Sequence, residues 1–372
     1  MRILFYNVTA SYIPGGLETY CWEAGRALAR RGHEVAIAAG NRGRAWHNEV
    51  ELVQFPFRIE QDWPNFGTRF RRLMERLSFA RHSLAYLAGS GFDAVIVNKP
   101  FDFPILWQAR RRGLAAQTLF RSGGTDFFAG DRLFAGAIRH WVSASRHNAR
   151  QVEQRYGRSV QVIHNGVDTS VFRPRGRDAA LRASFGAAPD DCLIASVGRL
   201  VGWKGLRVVL EALAGLPRHF RCLVVGTGSE EQTLKQQAGQ LGIAERVHFC
   251  GRIDHAELPL VLSQCDLFVQ PSIGEEAFGI SVVEAMACGI PVLASNNGGL
   301  PEIVVEGETG RLLPPGEVAA WREAIEHTAG DGARLKSLGA NARARAESEF
   351  TWAANAQKLE AIFTGGAACA GS

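Results

Sequence analysis

Two carboxylates, Glu276 and Glu284, stand with seven residues between them in the stretch Pro271-Ser272-Ile273-Gly274-Glu275-Glu276-Ala277-Phe278-Gly279-Ile280-Ser281-Val282-Val283-Glu284. The apolar run before it, Leu267–Gln270, reads as a strand, so Glu276 falls in a loop at that strand's carboxyl end. The Phe278-Gly279 turn then starts a helix whose first N–H groups have no partner within the helix. Such unpaired donors, together with the macrodipole, attract anions. A carboxylate beside an anion-binding helix start suits a ligand with hydroxyls at one end and phosphates at the other, and a sugar nucleotide has that form.

A second segment, Val197-Gly198-Arg199-Leu200-Val201-Gly202-Trp203-Lys204-Gly205, also follows a strand. Arg199 and Lys204 are either two solvated basic residues near a turn or fixed cations for a diphosphate leaving group. In the second case they stabilise charge that grows on the phosphate oxygen as a glycosidic bond breaks. Gly226 and Gly228 in Val225-Gly226-Thr227-Gly228-Ser229-Glu230-Glu231 fall short of a dinucleotide fingerprint, because Glu231 stands where the third glycine belongs. They mark either a tight turn or backbone contact with a nucleotide. Val247-His248-Phe249-Cys250-Gly251-Arg252 has the same two readings, with Arg252 near a base.

In the first half, Gly15-Gly16 precedes a helix. The pair either eases a turn or lets the backbone approach a diphosphate, where any Cβ would obstruct. Arg121 and Asp126, in Arg121-Ser122-Gly123-Gly124-Thr125-Asp126, are either an ion pair within a surface loop or groups that meet acceptor hydroxyls or the donor. The run from Arg69 to Arg81 places Phe70, Leu73, Leu77 and Ala80 on one helical face among arginines. It reads as a solvated core helix or as one that rests on an anionic bilayer.

The elements that position these residues alternate. Ile3–Val8 is a buried strand, Leu17–Arg31 a helix with Ala24, Ala27 and Leu28 on one face, and Val35–Ala38 the next strand. Ala94–Val97, Ala116–Phe120 and Ser159–Ile163 continue the series, which implies an α/β, doubly wound parallel sheet. After a Gly- and Pro-rich seam at His164–Asp168 and Phe172–Gly176 the rhythm restarts. Strands are expected at Leu193–Val197, Arg221–Val225, Val247–Cys250, Leu267–Gln270 and Pro291–Ala294. Trp352–Phe363 is an amphipathic helix and Gly365–Ser372 a frayed tail. The expected division is 1–170, 171–349 and a closing segment, 350–372: two Rossmann-like domains facing a cleft.

Totals agree with this plan. The chain has 372 residues, 46% hydrophobic and 21% charged, the size and balance of a two-domain soluble protein. No apolar run approaches the ~20 residues of a membrane span, and Met1–Phe5 reads as a strand rather than a signal peptide. Seven scattered cysteines without a C-x-x-C pair argue against zinc and disulfides and for a reducing cytoplasm. Residues 1–170 carry 23 Lys and Arg against 14 Asp and Glu, and the remainder 19 against 23. A basic first half beside a mildly acidic second half suggests different partners for the two.

With these residues in place, the chain resembles the retaining glycosyltransferases of family 4 over nearly its whole length. Glu276 and Glu284 match that family's E-x7-E signature. The other matching segments are Gly15-Gly16, Arg31-Gly32-His33-Glu34-Val35, Val142-Ser143-Ala144-Ser145, Asn165-Gly166-Val167-Asp168 with Phe172, Gly198-Arg199 with Lys204-Gly205, and Phe350-Thr351-Trp352. The resemblance implies the GT-B architecture and a retaining transfer from a nucleoside diphosphate sugar that needs no metal or other cofactor. It also implies a last helix that crosses back to the first domain. Arg199 and Lys204 would bind donor phosphates and Glu276 the sugar hydroxyls. Phe278, Gly279 and Ile280 would offer their backbone to sugar and diphosphate, and Glu284 would hold the ribose. Many relatives carry a His near the anomeric centre, where this chain has Arg121.

Expected partners are the donor, a glycan or lipid-linked acceptor of cell-envelope polysaccharide, lipopolysaccharide or glycolipid synthesis, and an anionic membrane touched peripherally at its cytoplasmic face; nucleic acid is not among them. A sugar-nucleotide 2-epimerase or a non-catalytic sugar-nucleotide-binding protein are the alternatives. The first lacks evident acid and base residues, and the second would be expected to lose the phosphate cations. A dehydrogenase is disfavoured because the first strand leads into Val8–Gly16 without G-x-G-x-x-G.

Overall fold

The computed structural model describes residues 1–13 and 15–365 and divides into two compact units, Met1–Asn165 with the segment from Trp352 onward, and Gly166–Thr351. Of the tail expected at 365–372, all but Gly365 lies outside the described residues.

The first unit is built on seven parallel strands: β1 Arg2–Tyr6, β2 Glu34–Gly40, β3 Glu51–Phe55, β4 Ala94–Val97, β5 Gln117–Ser122, β6 His140–Ser143 and β7 Gln161–Val162. Their order is β3-β2-β1-β4-β5-β6-β7. Both faces are covered, so β1 and β4 read as unbroken apolar runs. Alternate residues serve opposite cores. Leu4, Tyr6, Val95 and Val97 pack under the helices at Thr68–Gly89 and Phe103–Arg111, through Phe79, Leu84, Leu87, Phe103 and Leu106. Ile3, Phe5, Ala94 and Ile96 pack against the helix Gly16–Ala29 and the last helix, Trp352–Thr364. Trp352, Ala356, Leu359 and Phe363 therefore belong to the first unit's core, and Gln117 Nε2 donates to the Phe363 carbonyl at 2.7 Å.

The second unit has six parallel strands: β8 Cys192–Val197, β9 Phe220–Val225, β10 Val247–Gly251, β11 Leu267–Gln270, β12 Val292–Ser295 and β13 Gly310–Leu313, ordered β10-β9-β8-β11-β12-β13. One face is filled by Val209, Leu213, Leu234, Trp321 and Ile325 from helices at 206–214, 231–240 and 318–329.

Three strands go beyond the sequence reading, each for a local reason. β3 and β13 are sheet edges with mixed exposure, and β6 is only four residues, entered from a 3₁₀ segment. The basic helix is longer than its apolar pattern suggests, and its buried seam is different. Leu77 is exposed, while Arg76, Phe79, Ala80, Ser83, Leu84 and Leu87 face inward. Arg76 is accommodated by Asp102, whose Oδ1 accepts from its Nη1 at 2.6 Å, a buried charge pair that a hydrophobic period cannot reveal.

The last helix offers a direct check on the packing. Leu359→Ala opens a cavity in the first unit's core and is expected to cost about 2–5 kcal/mol in denaturant unfolding. Glu360→Ala, which removes a partly exposed pair with Arg31, should cost at most about 1 kcal/mol. Equal small losses would contradict the placement of this helix.

Candidate active site

In the second unit the chain leaves β8 toward β9 and β10, then returns to β11 on the other side and continues to β12 and β13. Loops at the carboxyl ends of β8 and β11 thus diverge, and such a switch point is where open parallel sheets leave a crevice for a ligand. Both carboxylate and cation segments fall there. The loop after β8 runs through Gly198, Arg199 and Lys204 to Gly205; the loop after β11 runs from Pro271 to Gly279.

The loops are locked together. The Ile273 and Gly274 N–H groups both donate to the Trp203 carbonyl at 2.9 Å. At Gly205, with φ 68°, a Cβ would collide with the Pro271 carbonyl oxygen. From β12, the Gly299 N–H donates to the Glu276 carbonyl at 2.8 Å. The outcome is a Lys204–Glu276 ion pair across the switch point. Glu276 is 7% exposed, and its Oε1 also accepts from Gln270 Nε2 and Ser272 Oγ, each at 2.8 Å. The Lys204 ammonium lies 4.8 Å from the centre of the Trp203 ring, a cation–π distance. Arg199 is exposed and pairs with no carboxylate among the described residues. A depression beside them is lined by Gly198, Arg199, Lys204, Arg207, Glu230 and Gln270.

The helix Ile280–Ala287 starts at Gly279, with φ 117° and no side chain to cap it. Phe278 is buried and packs edge-on to Phe350, with ring centres 5.8 Å apart. Glu284 sits one turn in, buried, with Oε1 2.7 Å from His255 Nε2. The His255 ring in turn lies 5.0 Å from that of Phe172. Gly226 and Gly228 have a steric cause: a Cβ on either would strike the carbonyl of Gly198 or of Leu200. The loop after β9 therefore rests on the loop after β8, fastened by Leu200 N–H to Thr227 O at 3.0 Å and Glu230 N–H to Leu200 O at 2.9 Å. Arg252, past the end of β10, is exposed.

In the first unit the switch point lies between β1 and β4. Gly15 is extended, and Gly16 begins its helix. A Cβ on Gly15 would sit 2.6 Å from Glu18 Oε2, so the glycine makes room for a carboxylate that folds back over the helix start. Arg121 departs from the expected surface loop. β5 continues to Ser122 and carries Arg121 into the interior at 2% exposure, where Nη2 donates to Asn165 Oδ1 and the guanidinium carbon lies 3.9 Å from the Tyr20 ring centre. Asp126 pairs instead with Lys99 and Arg72. Burial works to raise the Asp126 carboxyl, but the Lys99 ammonium and the arginines hold it below its ordinary value; burial pulls Lys99 itself down.

Burial pushes the Cys21 and Cys222 thiols up to about 12, far from the thiolate form. Among the described residues no group of three His, Cys, Asp or Glu is arranged to hold a metal ion.

Two parallel-sheet α/β units in one chain are the plan of the GT-B class of proteins. The model described as Glycosyltransferase Family 4 matches residues 14–171, and that described as Glycosyl transferases group 1 matches residues 178–345. The chain belongs to the family 4, group 1 glycosyltransferases. It is 40% identical over 216 residues to the D-inositol 3-phosphate glycosyltransferase of Mycobacterium tuberculosis, a match that takes in 55% of this chain and 44% of the relative. Its fold is similar to that of sucrose-phosphate synthase from Thermosynechococcus elongatus (TM-score 0.84, 24% identity, 98% of each chain covered). It is also similar to Anabaena Alr3699/HepE in complex with UDP and glucose (TM-score 0.82, 24% identity, 98% of this chain and 99% of that one).

Gln270, Ser272 and His255 carry no sequence signal of their own; they become visible only as partners of Glu276 and Glu284. The steric reading of the glycines is tested by Gly226→Ala. It should destabilise the protein clearly more than Gly242→Ala, which has a similar backbone sign but open space and should cost only about 1–2 kcal/mol. Equal losses on thermal unfolding would mean that loop contact does not set this position.

Proposed function

We propose that the protein is a retaining glycosyltransferase. It moves a sugar from a nucleoside diphosphate sugar to a hydroxyl of a glycan or lipid-linked acceptor, without a metal. The observation that carries this reading is the Lys204–Glu276 pair at the switch point of the second unit, beside the uncapped start of the 280–287 helix. The UDP and glucose bound by the Anabaena protein, and glycosyl transfer in the name of the mycobacterial relative, favour the same ligand class.

In this account the diphosphate draws Lys204 from Glu276 and takes Arg199 and the helix-start N–H groups as further donors. Glu276, released from the ammonium but still held by Gln270 and Ser272, accepts hydrogen bonds from sugar hydroxyls. Glu284, oriented by His255, receives the ribose hydroxyls, and Arg252 and the loop after β9 border the nucleotide. Neither glutamate is assigned as a covalent nucleophile. The acceptor oxygen bonds to the anomeric carbon on the face from which the phosphate departs, the glycosidic C–O bond breaks, and the departing phosphate oxygen takes the acceptor proton. Such a step draws on positioning and on cations set where charge develops.

The acceptor belongs to cell-envelope polysaccharide, lipopolysaccharide or glycolipid synthesis in this reading, carried out at the cytoplasmic face of the membrane. The basic, aromatic start of the 68–89 helix, with Phe66 76% exposed and packed edge-on against Phe70, would rest on anionic lipid there.

Lys204→Ala and Glu276→Ala should each lower kcat/KM by at least ~100-fold, the scale of one lost preorganised contact, with circular dichroism unchanged. Turnover should survive EDTA, and the product's anomeric configuration, read by NMR, should equal the donor's. Near-normal turnover in either variant would overturn the site, inversion the mechanism, and loss in EDTA the metal-free reading.

A further inference from the structure

The strands of the first unit end in buried polar side chains: Asn7 after β1, Asn98 after β4, Arg121 and Ser122 in β5, Ser143 in β6 and Asn165 after β7. Most of these satisfy one another or the backbone. Asn7 Oδ1 accepts from Thr9, Asn98 Oδ1 accepts from the Cys21 thiol, and Ser143 Oγ donates to Asn148. Arg121 stands apart. It carries a full charge at 2% exposure, yet no carboxylate among the described residues pairs with it, and its Nε has no hydrogen-bond partner. Nη2 uses the neutral Asn165, and the remaining compensation is the face of Tyr20. Other buried or half-buried cations of this unit have acids: Arg76 has Asp102, Lys99 has Asp126, and Arg155 has Asp131. A buried charge without a counter-charge is costly and is retained where something supplies one.

The surroundings say what that is. Gly123 follows Arg121 by two residues, and a Cβ there would sit 2.8 Å from Arg121 Nη1 and 3.7 Å from Leu17 Cγ. The side covering Nη1 is therefore roofed by Gly123, without a side chain, next to Leu17 in the first turn of the 16–29 helix. The Glu18 carboxylate lies against the helix start, its Oε1 accepting from Thr9 Oγ1, so the cation without a carboxylate here is the guanidinium.

We propose that Arg121, reached past Gly123, is a binding site for an anionic oxygen group, a carboxylate or a phosphate, carried by a small sugar-like substrate of the first unit. The fork of a guanidinium takes two oxygens of either group. Arg121 then acts as a specificity residue that favours charged over neutral sugars. The inference goes beyond the proposed transfer reaction and rests on the first unit alone.

The test is calorimetric titration at fixed ionic strength with D-glucuronate, D-glucose 6-phosphate and neutral D-glucose, using the whole chain. An Arg199→Ala/Lys204→Ala background removes both phosphate cations assigned to the second unit. At least one charged sugar should bind ~10-fold or more tightly than glucose, the scale of one charge-assisted contact. Which one it is separates carboxylate from phosphate. Arg121→Met and Gly123→Val should each abolish the preference, the second without removing the charge. If Arg121→Met fails to fold, the wild-type comparison and Gly123→Val decide. Equal binding of all three sugars, or a preference that survives both variants, overturns the inference. A nucleoside diphosphate titrated into the wild-type chain keeps the readings apart: its failure to bind there counts against the proposed transferase and leaves Arg121 untouched.

Discussion

A parallel sheet whose strand order turns back at its centre cannot close its own loops over that point, and the arrangement of the second unit depends on this constraint. β8 and β11 are neighbours, but the chain leaves them in opposite directions. The gap at their carboxyl ends is filled by one charged contact, Lys204 on Glu276. Around it, polar groups are spent on holding Glu276 rather than Lys204: Gln270, Ser272 and the Gly299 N–H all address the glutamate or its backbone. The carboxylate is thus fixed, and the lysine is the movable partner, tethered through a flexible stem and the Trp203 face. In the proposed reaction, this pair exchanges its internal anion for one brought by the donor.

The glycines follow from the same geometry. Gly205, Gly226, Gly228 and Gly298 each stand where a Cβ would meet a backbone carbonyl of a neighbouring loop. They let four loops from β8, β9, β11 and β12 stack within backbone contact, which gives the charged side chains a rigid footing. Sequence spacing hints at phosphate contact for Gly226 and Gly228; the structure supplies a packing cause for both.

Much of this is legible in the chain itself, for identifiable reasons. β1, β4, β8 and β11 are buried on both faces, so their apolar runs stand out. Glu276 and Glu284 can be placed because a strand, a glycine turn and a helix start succeed one another within a few residues. What the sequence hides depends on partners distant along the chain. The apolar pattern misplaces the seam of the 68–89 helix because Arg76 is buried against Asp102, and a charged residue in a core breaks the hydrophobic period. Arg121 reads as a loop residue because nothing local shows β5 running on to Ser122 beneath Tyr20 and Asn165. His255 meets Glu284 across 29 positions, a contact that only the fold creates.

The most direct measurement is titration calorimetry of uridine, guanosine and adenosine diphosphates into the wild-type protein and Lys204→Ala, in EDTA. If the switch-point pair is a diphosphate site, one nucleotide binds the wild type without metal, and the variant binds it at least ~10-fold more weakly, as expected for loss of a charge-assisted contact. Failure of all three to bind, or binding indifferent to Lys204, would contradict the account.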